Sequence, residues 1–252
     1  MPFNIIKDSY KYCTENIPFF VFVLILMFGS SFIINLVDSV IVGPVIVSIL
    51  MMGYGLQVTR DIIHGGNRLP KIMPKDIFLF GIKGYVLFFF YAAIQSVLLT
   101  IISSRLNFPD VEIKDLVLNF SNTLHMLRTH DPVSFTIFIV SLIIVVYVTT
   151  FFMELSLARL ADGGRLRDSF HFRRIKHAID IIGWRKYTWD YTKIITSIIV
   201  LTYLVNYEIP FDPVAAIVDS ILSFLIFVIE FIGIGNIYKI YIDSKSDENQ
   251  TD

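Results

Sequence analysis

Leu142-Ile143-Ile144-Val145-Val146-Tyr147-Val148 carries no charge and is apolar on every side of a helix. A water-soluble bundle would break such a run with polar residues at 3.6-residue spacing. Here the apolar character instead extends outward in both directions, over residues 133–157. That exceeds the roughly 20 residues a helix needs to cross a hydrocarbon core about 30 Å thick. Five more stretches read the same way, at residues 19–37, 40–58, 77–103, 193–207 and 214–238. Val21–Phe28 and Phe224–Ile229 repeat the all-round apolar pattern. Asp38 and Ser39 alone join the first two spans into a tight hairpin, and Pro44 should kink the second. The expected fold is all-α, a polytopic membrane helical bundle of about six transmembrane helices with amphipathic interfacial helices beside them. One integral membrane domain covers residues 1–252, ending in a polar, acidic tail over 244–252 that is expected to be disordered.

Composition leads to the same class. Of 252 residues, 55% are hydrophobic and only 17% charged, against about 25% charged in soluble domains. Mean hydropathy is +0.67. The 23 Phe suit a lipid-facing surface. The first sixteen residues are polar and mixed in charge, with no small-residue cleavage site after the first apolar run, so the first span is expected to remain as an anchor. A single cysteine, Cys13, excludes an intramolecular disulfide and a cysteine-based zinc site.

The basic residues fix an orientation. Lys7 and Lys11 precede the first span. Arg60, Arg68, Lys71 and Lys75 follow the second. Nine more, from Arg159 to Lys193, lie between the fourth and fifth, and Lys239 and Lys245 follow the sixth. The alternate loops hold only Arg105, Lys114 and Arg128. Because cytoplasmic loops carry the excess of Lys and Arg, both termini are expected in the cytoplasm. The basic residues then face anionic headgroups. Membrane lipids are therefore the expected partners, together with a second copy of the chain or partner membrane proteins. Nucleic acid is not, since no soluble module or aromatic-interleaved basic platform is present.

Three segments outside the spans read as helices lying on the membrane. In Pro2–Asn16, Phe3, Ile6 and Tyr10 share a helical spacing. In Asp110–Arg128, Ile113, Leu116, Val117, Phe120, Leu124 and Leu127 form a stripe. In Asp168–Ile182, Phe172, Ile175, Ile179 and Ile182 line one face, opposite a basic patch of Arg165, Arg167, Arg173, Arg174 and Lys176. Trp184, Tyr187, Trp189 and Tyr191 follow as an aromatic belt. Asn119 begins a glycosylation sequon, Asn119-Phe120-Ser121, in the expected outer segment.

The second and fourth spans end alike. Arg60 is followed by Gly65-Gly66, and Arg159 by Gly163-Gly164. An Arg near a helix C-terminus complements the dipole, and a glycine ends the helix in a left-handed cap. Gly53-Tyr54-Gly55 before Arg60, and Gly233-Ile234-Gly235 before Lys239, hint that one hairpin unit repeats. The run Gly53-Tyr54-Gly55-Leu56-Gln57-Val58-Thr59-Arg60, with Gly65-Gly66 and Leu69-Pro70, resembles the signature of domain-of-unknown-function family 4013. Ala158-Arg159-Leu160-Ala161-Asp162-Gly163, Phe170-His171-Phe172 and Ile181-Ile182-Gly183-Trp184-Arg185-Lys186-Tyr187 resemble it too. The resemblance implies a multi-span membrane protein of a group frequent in methanogenic archaea, and it supplies no catalytic residue. This chain departs from the pattern at Asn67-Arg68, where acidic residues are usual.

Ionisable groups inside spans are expensive and mark functional candidates. Lys83, Glu154 and Glu230 fall at similar depth, so Lys83 is expected to pair with Glu230 or, as second choice, Glu154. No enzyme signature appears. The five histidines lack HExxH spacing, and the glycine pairs lack the strand and the GK[ST] of a phosphate loop. No catalytic residue, metal ligand or cofactor is expected. Three functions stay open: a non-enzymatic protein that organises membranes or forms complexes, a small transporter or channel built on the Lys83/Glu154/Glu230 cluster, and a lipid-handling enzyme at the cytoplasmic interface around Asp162 and His171.

Overall fold

The computed structural model describes residues 5–15, 17, 21, 42–106, 126–205 and 212–248. The elements among them are α1 (Ile5–Thr14), α2 (Val42–Ile63), α3 (Pro74–Ser103), α4 (Pro132–Ala161), α5 (Leu166–Ser169), α6 (Phe172–Ile182), α7 (Trp184–Val205) and α8 (Asp212–Glu248). The class is all-α, as expected. Among the described residues four helical stretches are long and apolar enough to cross a membrane: Val45–Ile63, Pro74–Ser103, Pro132–Ala161 and Ile221–Lys245. They match the second, third, fourth and sixth expected spans. The first expected span and the stripe over 110–128 fall mostly outside the described residues, as does Asn119. The fifth, over 193–207, begins in the middle of α7, which is not among those four, and its last two residues lie outside the described ones.

The chain forms two compact units. One comprises residues 1–87 and 154–252. Its core is α2 against α8, with α7, α6 and α1 also packed on α8. Small residues make those approaches possible. A Cβ on Gly53 would collide with the Ile77 carbonyl of α3, and one on Gly81 with the Ile49 carbonyl of α2. A Cβ on Gly55 would strike the Phe231 ring of α8, and one on Gly235 would press on Ile62. Backbones brought this close gain van der Waals contact without needing a hydrophobic driving force. Thr59 adds a buried bond from its Oγ1 to the Phe231 carbonyl, 3.0 Å. The Gly53 and Gly235 runs are thus mid-helix contacts. α8 continues through Gly233–Gly235, and through the tail expected to be disordered from Ser244, as far as Glu248.

The other unit, residues 88–153, includes the second half of α3 and the greater part of α4, as far as Met153. The Gln95 Nε2 donates to Thr149 Oγ1 at 2.6 Å between them. α4 starts on a strong cap. The Asp131 Oδ1 accepts from the Val133 and Ser134 amides, both at 3.1 Å, and Oδ2 from the Ser134 hydroxyl at 2.7 Å. Pro132 takes the first helical position, where a missing N–H costs nothing. The Ser134 bonds hold the Asp131 carboxyl below its usual range.

Two amphipathic segments pack on protein where lipid contact was expected. In α6 the buried residues are Ile175, Ala178, Ile179 and Ile182, covered by α7 and α8, whereas Phe172 is exposed. In α1 the buried face is Ser9, Tyr12 and Cys13, and Tyr10 points out. The aromatic belt also divides. Tyr187 and Tyr191 enter the core, and Trp184 and Trp189 stay exposed.

Candidate functional site

The charged groups of the larger unit gather where α2 and α4 end. Both helices stop in the same six-residue turn. Gly65 has φ 84° and Gly163 φ 92°. The Gly65 amide bonds the Ile62 carbonyl at 3.0 Å, and the Gly66 amide the Asp61 carbonyl at 2.8 Å. At the other end Gly163 bonds Leu160 at 3.2 Å, and Gly164 bonds Arg159 at 3.1 Å. This is the paired-bond closure that a left-handed glycine permits. The second glycine of each pair is needed for space. A Cβ on Gly66 would meet the Asp61 carboxyl, and one on Gly164 would come within 2.6 Å of the Arg159 carbonyl.

Registering the two ends on these glycines puts Asp61 level with Arg159, and His64 level with Asp162. Equivalent positions thus carry complementary groups. The His64 Nε2 lies 3.8 Å from Asp162 Oδ1, close enough for an ion pair once the imidazole is protonated. Burial pushes the Asp162 carboxyl above its usual range, while His64, Arg60, Arg159 and Lys245 pull it back. α1 closes over the α2 end through its Tyr12 hydroxyl, which donates to Asp61 Oδ2 at 2.8 Å. The Arg159 Nε is buried there without a partner.

Beside this platform is a cleft of about 660 Å³ between the end of α2, the loop after it and the start of α3. Arg60, Arg68, Lys71, Asp61, Asp76 and Gln57 are among its lining residues. α2 itself ties the loop down. The Tyr54 hydroxyl donates to the Pro70 carbonyl at 3.4 Å, and Gln57 Nε2 to the Lys71 carbonyl at 3.0 Å. The Arg60 guanidinium sits 5.9 Å from the centre of the Phe80 ring. A site with cations on some walls and carboxylates on others can bind a group that carries both an anion and a hydrogen-bond donor.

The expected charge cluster forms only in part. Glu154 and Glu230 come within hydrogen-bonding reach of each other. One oxygen of Glu154, Oε2, is buried with no partner. Lys83 is exposed and makes no ion pair with either, against expectation. The expectation placed all three at one level along their helices, but a shared level does not decide which way Lys83 points. Of the basic patch, Arg165, Arg167, Arg173 and Lys176 are exposed, and Arg174 is paired to Asp168 at 2.6 Å. Of the repeated helix-end residues, Arg60 and Arg159 act on Asp162 together with His64 and Lys245, and His64 stands where His171 was expected. Reasoning on the sequence passed over Gln57 and Tyr12. A glutamine six residues before a helix end and a tyrosine on a short amphipathic helix carry no charge or periodicity that marks them.

A family model described as a protein of unknown function, DUF4013, matches residues 36–209. That stretch includes both glycine-capped helix ends and the cleft. No curated protein and no solved structure matches the chain.

Proposed function

The chain belongs to the DUF4013 family of proteins of unknown function, and on that premise we propose that it is a non-catalytic integral membrane protein that organises lipids and partner membrane proteins at the cytoplasmic leaflet. Both termini face the cytoplasm in this reading. The observation that carries it is the contrast between the sparsely buried apolar helices α3 and α4 and the charged groups gathered within the larger unit. The α3 and α4 spans have only 11% of their apolar windows buried, which suits contact with acyl chains. Arg60, Asp61, His64, Arg159, Asp162 and Lys245 instead collect at the α2 and α4 ends. The exposed Arg165, Arg167, Arg173 and Lys176 add positive charge within the same unit. Anionic headgroups attract such residues by about 1 kcal/mol each.

The test is lipid retention. The protein purified from a membrane of mixed composition should carry anionic lipid enriched several-fold over the bulk. The combined Arg165→Ala, Arg167→Ala, Arg173→Ala and Lys176→Ala variant should lose most of that enrichment. Equal enrichment in both would sink the reading. A second reading, a small transporter or channel, is favoured by the unpartnered Glu154 Oε2 beside Glu230. Proton or cation flux into proteoliposomes that disappears in Glu154→Gln would establish it.

A further inference from the structure

We propose that the cleft between α2 and α3 binds a phospholipid headgroup that carries a hydrogen-bond donor, an amine or a hydroxyl, beside its phosphate. The inference rests on the lipid-organising reading above and gives it a headgroup class. The size fits, since about 660 Å³ lies within the usual range for small-ligand sites.

The key residue is Gln57. It is 9% exposed and lines the cleft. Its Nε2 donates to the Lys71 carbonyl at 3.0 Å. Only the amine side of an amide can face a carbonyl, so this bond fixes which way the group is turned. The other end, Oε1, is buried with no partner. A buried acceptor left empty calls for a donor, and none of the described residues fills that place.

The charged lining supplies the rest. Arg60, Arg68 and Lys71 provide cations for a phosphate, with Arg60 steadied over the Phe80 ring. Asp61 and Asp76 sit in the same lining. Two carboxylates oppose a bare anion but suit a ligand whose amine or hydroxyl lies next to its phosphate. The loop that closes the cleft is held before any ligand arrives, by Tyr54 on Pro70 and Gln57 on Lys71. The cleft lies at the Ile63 end of the Val45–Ile63 span, the level at which headgroups sit.

The test compares two lipids that share a phosphate, one whose ammonium donates hydrogen bonds and one whose three N-methyl groups replace those donors. The full-length protein in detergent is titrated with short-chain phosphatidylethanolamine, short-chain phosphatidylcholine and free phosphoethanolamine, and binding is read by native mass spectrometry. The ethanolamine lipid should bind about 10-fold more tightly than the choline lipid, a difference of about 1.4 kcal/mol. Gln57→Leu should erase that preference, and so should Asp76→Asn, an exposed site where folding is not at stake. Arg68→Ala with Lys71→Ala should weaken both lipids alike. Equal affinity for the two lipids in the wild-type protein overturns the proposal. Free phosphoethanolamine binding as tightly as the lipid overturns the lipid assignment in favour of a soluble phosphate ester. If the headgroup preference is missing while anionic-lipid enrichment persists, the cleft assignment falls alone. If both are missing, the lipid-organising reading falls with it.

Discussion

α3 and α4 are at least as apolar as α2 and α8, yet they bury far less. In the most apolar window of α3 and of α4, 11% of residues are buried, against 44% for α2 and 56% for α8. The difference lies in small residues. α2 meets its neighbours through Gly53 and Gly55, and α8 through Gly235, where any side chain would collide. The second half of α3 and the middle of α4 present Phe88, Phe89, Phe90, Ile143 and Ile144, all exposed. Apolarity carries a helix into the bilayer, but it does not choose the helix's neighbours. Glycine and threonine do that, by letting backbones close and hydrogen bonds form.

The contrast can be broken most severely at Gly53. Gly53→Val places atoms into the Ile77 carbonyl and should cost about 3 kcal/mol, read as a large drop in unfolding temperature in detergent. Next is Tyr12→Phe, which leaves the Asp61 carboxyl without its 2.8 Å donor. It should cost about 2 kcal/mol and free α1, so that Cys13, buried and with its thiol pushed up to about 12, becomes open to alkylation. An unchanged Cys13 labelling rate would deny the latch. Gly163→Ala meets no atom within 4 Å, but its φ of 92° disfavours any side chain. Its cost, about 1 kcal/mol, measures backbone strain alone.

Asp162→Asn should act through pH. Burial makes the folded protein hold the Asp162 proton more tightly than the unfolded chain, whose value is near 3.8. The stability from that proton is fully present below about 3.8 and is lost as pH rises through the folded value. The variant should therefore gain on the wild type as pH increases from that point, seen in unfolding temperatures across a pH series. A gain as pH falls would contradict it. The smallest effect belongs to the lipid-facing side. Phe89→Leu, at a residue 63% exposed, should stay within about 0.5 kcal/mol. A larger loss would mean that this face contacts protein.

Features set by local chemistry could be read in the sequence. Hydropathy located four of the described helices. Gly65 and Gly163 were legible as caps because a left-handed turn after a helix nearly demands glycine. The buried face of α6 was visible in the spacing of Ile175, Ile179 and Ile182. What covers that face was not visible, because an apolar stripe looks the same whether lipid or α8 lies against it. Tyr187 and Tyr191, four apart, turn inward, while Trp184 and Trp189 turn out, and the belt pattern treats all four alike. Lys83 failed for a related reason. Residue count gives depth in a bilayer, but pairing needs the rotation of each helix, which only packing sets. Gly53, Gly55 and Gly235 were read as signs of a repeated hairpin, because a glycine's use depends on its neighbour, and that neighbour can lie far away in the chain.

The bond from Thr59 to the Phe231 carbonyl joins residues 172 apart. At about 5–20 residues per second of synthesis, α2 is made roughly 10–30 s before its chief partner exists. Through that interval its glycine face must be tolerated by lipid or by the insertion machinery, with nothing to close against. Insertion and packing are therefore separate events in time, and the later-made α8 completes the core of the larger unit. A chain truncated before α8 would still enter the membrane, but it would leave α2 without the surface it is shaped to meet, open to whatever small-residue helix lies nearby.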